Sequence, residues 1–184
     1  MLLQYETRRL ILKVLEPDYA EDVLQFYLDD KELFEKYEMD RCANFYTEAH
    51  QRTILHAEFG LALKLQQVRF YVFLKEVPNQ IIGTVCLYDI SNTYSRGELG
   101  YKFASEFHHN GYASEAVEKL LDIAFTELGL HRVCAHVMAT NEPSIRLLKG
   151  LGFDLEGICR DYLYLHGMWT DHMQYSLTAP TIYL

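Results

Sequence analysis

The sequence predicts a mixed α/β fold: a twisted, mostly antiparallel sheet with one central parallel pair and helices on both faces. Three observations predict it. Short runs in which apolar and polar residues alternate recur along the chain, the signature of half-buried strands. Two of these runs, Glu98–Phe103 and Arg132–Met138, flank a helical stripe of Val117, Leu120, Leu121, Ala124, Phe125 and Leu128. A strand, a crossover helix and a strand make a right-handed βαβ unit with parallel strands. The remaining runs are joined by short polar turns, which favour antiparallel hairpins.

In chain order, Tyr5–Val14 reads as the first strand, with Leu10, Leu12 and Val14 on one face. Pro17 and Asp18 open a helix, and Asp18 with Glu21 has the spacing of a capping box. Val23, Leu24, Phe26, Tyr27 and Leu28 supply its buried side. Residues 29–46 read as irregular and aromatic-rich. Thr47 caps a second helix reaching about Leu65, with Ile54, Leu55, Leu61 and Leu63 as packing residues. Arg69–Lys75 and Ile81–Asp89 form a hairpin around a Pro78-Asn79 turn, with Gly83 placed where another backbone or a bulge comes close. The loop Ser91–Arg96 leads into the Glu98 strand. The long helix from about Asn110 to Leu128 stops at Gly129, a left-handed cap position. A short helix then starts at Pro143 and ends at Gly152. A strand from Phe153 towards Leu165, broken near Gly157, turns at His166-Gly167 into a last strand, Trp169–Leu177. The tail from Thr178 carries no signal.

No repeat or linker interrupts residues 1–184, so one domain is expected. Of these residues 49% are apolar and no run approaches a membrane span, so no membrane partner is expected. No basic-then-apolar leader pattern opens the chain. Cys42, Cys86, Cys134 and Cys159 are widely spaced, which argues against a disulfide framework or a zinc site and suits a reducing, cytoplasmic setting. His108 and His109 are adjacent and lack a third ligand, so no metal is expected. The formal charge of −9 argues against general nucleic-acid binding; it is compatible with a cationic substrate, or serves solubility alone.

The candidate site begins where the Glu98 strand gives way to the long helix. The first turn of a helix has unpaired N–H groups at the positive end of the macrodipole. With Asn110 and Gly111 at the entrance, strand, polar turn and helix form a potential anion cradle. His108-x-x-Gly111-x-Ala113 resembles the Q/R-x-x-G-x-G/A pyrophosphate loop of the GNAT acetyltransferases, with His108 departing from Gln or Arg. Gly111-Tyr112-Ala113-Ser114-Glu115-Ala116 after Glu98-Leu99-Gly100-Tyr101 is similar to the RimJ/RimL-type branch, as is the Thr7-Arg8-Arg9-Leu10 opening. Asn141-x-x-Ser144-x-x-Leu147-Leu148-x-x-x-Gly152-Phe153 resembles a second GNAT segment, and Gly167 with Asp171 resembles its G-x-x-x-D ending.

The resemblance implies the GNAT fold and an N-acetyltransferase that moves the acetyl group of acetyl-CoA directly to a primary amine. The expected acceptor is a small molecule or a protein N-terminus, and the expected assembly a monomer or homodimer. His108, His109, Asn110, Gly111, Tyr112, Ala113 and Ser114 are then the pyrophosphate loop. Tyr101 and Phe103 lie where main-chain groups pair with pantetheine, and Asn141 binds its amides. Glu98 is the candidate general base, and Ser144 the candidate donor to the leaving thiolate and a further cofactor contact. The tyrosine many relatives place four residues after Ser144 is Leu148 here. Lys102, Arg146 and Lys149 are either partners for remote phosphate charge or simply solvated side chains. Phe34, Tyr37, Phe45 and Tyr46 either line an acceptor pocket or pack a core. The rival expectation is a non-catalytic acyl-CoA-binding module that would not depend on Glu98 or Ser144.

Overall fold

The computed structural model describes residues 1–180. Its frame is one eight-stranded sheet in the order β1-β2-β3-β4-β5-β6-β8-β7. The strands are β1 (Gln4–Glu6), β2 (Leu10–Lys13), β3 (Val68–Leu74), β4 (Val77–Ser91), β5 (Arg96–Phe103), β6 (Arg132–Met138), β7 (Asp154–Leu165) and β8 (Met168–Thr178). Every neighbouring pair is antiparallel except β5 and β6. The helices are α1 (Ala20–Asp29), α2 (Lys31–Glu35), α3 (Glu48–Leu63), α4 (Tyr112–Asp122) and α5 (Glu142–Gly150).

The core divides between the two faces of the sheet. Alternation along β3 sends Val68, Phe70 and Val72 into one cluster with Val117 and Leu120 of α4 and Leu148 of α5. It sends Tyr71 and Phe73 into the other, with Val23, Phe26 and Tyr27 of α1, Phe34 of α2 and Leu55 of α3. Each such leucine, valine or phenylalanine stabilises the fold by roughly 1.5–3 kcal/mol when fully buried. The helix stripes are therefore what hold both layers against the sheet.

Several sequence expectations are corrected locally. Tyr5–Val14 is a hairpin, because Thr7 turns the chain: its hydroxyl accepts from Leu10 N at 3.0 Å and Thr7 N donates to Leu10 O at 3.0 Å. Asp18 forms no capping box; Pro17–Tyr19 is a 3₁₀ turn and α1 starts without a side-chain cap. The irregular stretch contains α2, and Phe34 is buried there. Leu63 is exposed at the end of α3, whereas the Thr47 cap forms, accepting from His50 N at 3.3 Å. Pro78 and Asn79 lie within β4 beside a bulge, and the turn falls at Lys75-Glu76. The long helix ends in a π-helical segment, Ile123–Glu127. Gly83 meets its expectation: a Cβ there would lie 2.7 Å from Lys102 O and 2.4 Å from Phe103 Cδ1. The reading of the tail from Thr178 extends past the described residues.

Candidate active site

The site is built where β5 and β6 part. Their parallel pairing covers only Arg96–Glu98 against Arg132–Cys134, after which Leu99–Phe103 and Ala135–Met138 run on without pairing to each other. A bare strand edge is thereby exposed to a ligand that can pair with main-chain groups, as an added strand would.

Glu98 stands at the last paired position, half-buried. Its Oε2 accepts from His136 Nδ1 at 3.1 Å, and Tyr88 is its cross-strand partner on β4. The His136 hydrogen bond holds the Glu98 carboxyl below the usual carboxylate range, outweighing burial, which pushes it up. His136 is fixed in turn. It stacks on Tyr162 with ring centroids 4.3 Å apart at 18°, and the Tyr162 hydroxyl lies 3.2 Å from Nδ1. Burial pushes the Tyr162 phenol up to about 12, so it stays neutral. Tyr162 reaches this place because β7 bulges between Cys159 and Leu163. Asp161 has φ +47 there, and its N–H donates to Asp171 Oδ1 at 2.9 Å. His172 is buried, which pushes its imidazole pKa down, and its ring centroid lies 5.3 Å from that of Tyr162.

The cradle follows β5. His108 Nε2 lies 2.9 Å from Phe103 O, so its imidazole ties the loop back to the strand end. His109 has φ +62, and exposed Gly111, the N-cap of α4, has φ +75 with no side-chain cap. That left-handed geometry suits glycine and leaves the N–H groups of Tyr112, Ala113 and Ser114 facing outward. The loop fits a pyrophosphate: the donors are present, and the space a Cβ would fill at Gly111 is bordered by Arg9 Nη2 at 3.5 Å.

The N-terminal turn braces this loop. Glu115 accepts from Thr7 Oγ1 at 2.6 Å, Arg9 N at 2.8 Å and Arg9 Nε at 2.7 Å. Arg9 Nη1 donates to Asn110 O at 2.9 Å, and the guanidinium lies 4.5 Å from the centroid of the Tyr112 ring.

Across the divergence, Tyr101 of β5 reaches Ser144 of α5, with the two hydroxyl oxygens 2.5 Å apart. Burial pushes the Tyr101 phenol up to about 12. Asn141 caps α5, its Oδ1 accepting from Ser144 N at 3.3 Å. A phenol thus stands beside Ser144 from β5, while Leu148 is fully buried.

The structure brings Glu98, Tyr101 and Phe103 onto one strand that leads straight into the His108–Ser114 loop, with Asn141 and Ser144 facing it from α5. It does not bring Lys102 to the cofactor side. Alternation turns Lys102 to the opposite face, where it pairs with Glu38 beneath Tyr27 and Phe34. Arg146 pairs with Glu142 on the surface of α5. Sequence reading missed His136, Tyr162, Tyr88 and Arg9. The signals were faint: a lone histidine on the strand after the crossover helix, and an arginine in the opening turn.

Comparison with known proteins places this arrangement. The acetyltransferase (GNAT) domain family matches residues 9–154. The uncharacterized N-acetyltransferase p20 of Bacillus licheniformis is 36% identical over 174 residues, spanning 93% of each chain. The ribosomal-protein-S5-alanine acetyltransferase of Vibrio fischeri superposes with a TM-score of 0.90 at 27% identity, covering 96% of this chain and 97% of that one. Mycobacterium smegmatis RimJ, solved with a CoA disulfide, superposes with a TM-score of 0.86 at 25% identity, covering 92% and 82%. A strand pair that parts beside a glycine-capped helix, with this family match across it, makes the chain a member of the GNAT acetyltransferases, an acetyl-CoA-dependent N-acetyltransferase of the RimJ/RimL type.

Proposed function

We propose that the protein transfers acetyl directly from acetyl-CoA to a primary amine held in a ternary complex at Glu98, with a protein N-terminal α-amine as the leading acceptor. One observation carries the reading: Glu98 and the Tyr101–Ser144 pair stand at the parting of β5 and β6, with the His108–Ser114 loop at the far end of β5. The Vibrio fischeri relative, named for an alanine of ribosomal protein S5, supports an α-amine over a side-chain amine.

Acetyl-CoA, when bound, supplies an acetyl group on a sulfur that must leave as a thiol. The main-chain N–H groups of Tyr112, Ala113 and Ser114 hold its pyrophosphate, and Asn110 and His109 shape the loop around it. The edge of Tyr101–Phe103 and the Asn141 amide orient pantetheine. Much of the rate comes from this approximation of two bound reactants.

Glu98 takes the proton of the amine, directly or through one water. Even at the ordinary values, about 4.3 for Glu and about 7.7–8.0 for an α-ammonium, full proton transfer before reaction is uphill by roughly 5 kcal/mol. The depressed Glu98 widens that gap. The amine therefore attacks from the neutral fraction that solvent leaves near its own pKa, held by the Glu98 carboxylate as a hydrogen-bond acceptor, and Glu98 takes a proton from the nitrogen as the new bond forms and makes it acidic. His136 and Tyr162 keep the carboxylate aimed. On the other side, the Ser144 hydroxyl donates to the departing sulfur and Tyr101 re-supplies it through their short contact; a phenol at about 12 still holds its proton at neutral pH. Unpaired Cys42, Cys86, Cys134 and Cys159 fit a reducing, cytoplasmic compartment.

The test is the thermal midpoint with acetyl-CoA or with ATP as a phosphate control, followed by thiol release with an α-amine peptide. A concentration-dependent rise specific to acetyl-CoA, and release that requires the peptide, are expected. No rise at saturating acetyl-CoA overturns the proposal.

A further inference from the structure

The face of β5 opposite the Tyr101–Ser144 pair carries Glu98, Gly100 and Lys102, paired to Tyr88, Cys86 and Thr84 of β4. Lys102 is not solvated. Its ammonium sits 5.0 Å from the centroid of the Tyr27 ring and 5.7 Å from that of Phe34, and it contacts one oxygen of Glu38. The other oxygen of Glu38 contacts Arg41, whose guanidinium lies 4.2 Å from the Phe45 ring centroid. One carboxylate therefore serves two cations. The neighbouring acids are engaged elsewhere: Glu58 by Arg69 and Tyr71, Glu35 by Tyr46, and Asp40 by His166. This Lys102–Glu38–Arg41 pocket lies under the rings of Tyr27, Phe34 and Phe45. Burial, with the guanidinium groups of Arg69 and Arg41, pushes the Lys102 ammonium down to about 8.

Lys102 and Glu98 share this face of β5, with Gly100 between them. Gly100 presents no side chain of its own; Cys86 Sγ and the Tyr88 ring lean over it, 3.0 and 3.3 Å from where a Cβ would lie. Four residues of strand separate the two positions by about 13 Å. Glu38 and Arg41 lie in the stretch after α2 that has no helix or strand of its own, so the roof is the part free to exchange partners.

We propose that this pocket reads a carboxylate on the acceptor: the amine lies at Glu98, the acidic group displaces Glu38 from Lys102, and each cation is left with its own carboxylate. An extended peptide advances about 3.3–3.6 Å per residue, so the acidic side chain belongs within the first four residues. The inference rests on the acetyltransferase reading above and narrows its acceptor to an amine that also carries a carboxylate.

The test uses two amidated hexapeptides with a free α-amine, uncharged except for Glu or Gln at position three, beside 6-aminohexanoate and its amide. The Glu peptide is expected to be favoured about tenfold in kcat/KM, mainly through KM, as one desolvated ion pair provides. Glu38→Gln should lower KM several-fold for the Glu peptide alone. Lys102→Met should bring the ratio to near one and Lys102→Arg restore it; Arg41→Gln, in the roof, should halve it or more if Lys102→Met does not fold. A preference shown only by the aminohexanoate pair would still support the carboxylate pocket and assign it to small acceptors. Acetylation of acid and amide forms within twofold of each other overturns this inference and leaves the acetyltransferase reading standing. Binding of acetyl-CoA with no acetylation of any of the four overturns both.

Discussion

Replacing Glu115 by alanine tests whether the N-terminal turn holds the pyrophosphate loop. The native carboxylate accepts three hydrogen bonds, from Thr7 Oγ1, Arg9 N and Arg9 Nε. Its side chain is 17% exposed and that of Arg9 34%, so the contact is partly screened. Hydrogen bonds to a charged group contribute about 1.5–3 kcal/mol each and are not additive within one network. Allowing for the screening, the loss should be about 2–4 kcal/mol, or roughly 5–12 °C in Tm for a chain of this size. Burial pushes the Glu115 carboxyl up, but the bonds from Thr7 and Arg9 outweigh it and the net direction is down. The folded value therefore lies below the unfolded one. The contribution is fully present above the unfolded value, about 4.3, and lost as pH falls through the folded one. Urea titrations of both proteins at pH 7 and at pH 3 should show a wide gap that narrows in acid. Because Arg9 also holds Asn110 O, the variant should bind acetyl-CoA about tenfold more weakly. A gap below about 0.5 kcal/mol at pH 7, or one equally wide in acid, would refute the brace.

Other perturbations probe the remaining parts. Gly83→Ala drives a Cβ to 2.7 Å from Lys102 O, and the overpacking should cost about 2–3 kcal/mol in urea unfolding. His136→Ala removes the bond that holds Glu98 low, so the acid limb of the rate profile should move up towards the ordinary carboxylate range while acetyl-CoA affinity is retained. Tyr101→Phe removes the hydroxyl 2.5 Å from Ser144 and should lower kcat at least tenfold with little change in the KM of the amine, read by thiol release. Gly111→Ala places a side chain at φ +75, costing about 1–2 kcal/mol of stability and weakening acetyl-CoA in a thermal-shift titration.

The βαβ unit was legible because its signals are local and redundant. The α4 stripe, the left-handed stop at Gly129 and the alternation of β6 all point to one arrangement. Gly111 was singled out by the resemblance of His108-x-x-Gly111-x-Ala113 to a pyrophosphate loop, and its φ of +75 is one that suits glycine. What sequence could not show is which distant side chains meet. His136 reaches Glu98 only because two parallel strands end their pairing there, and Tyr162 arrives through a bulge pinned by Asp171 from the neighbouring strand. Lys102 was read either as a phosphate partner or as a solvated lysine because it stands beside the loop in sequence, whereas strand alternation sends it under α1 and α2. The first strand was read as continuous because Thr7-Arg8-Arg9 contains neither Gly nor Pro; its turn is held by the Thr7 hydroxyl instead.

The central claim is tested most directly by Glu98→Gln, assayed for acetyl-CoA affinity and for thiol release with an α-amine peptide on the same preparation. The account predicts an unchanged thermal shift with acetyl-CoA and turnover reduced at least a hundredfold, the range a lost acid–base group gives. Turnover equal to the native protein's, with the peptide still acetylated at its N-terminus, would contradict it.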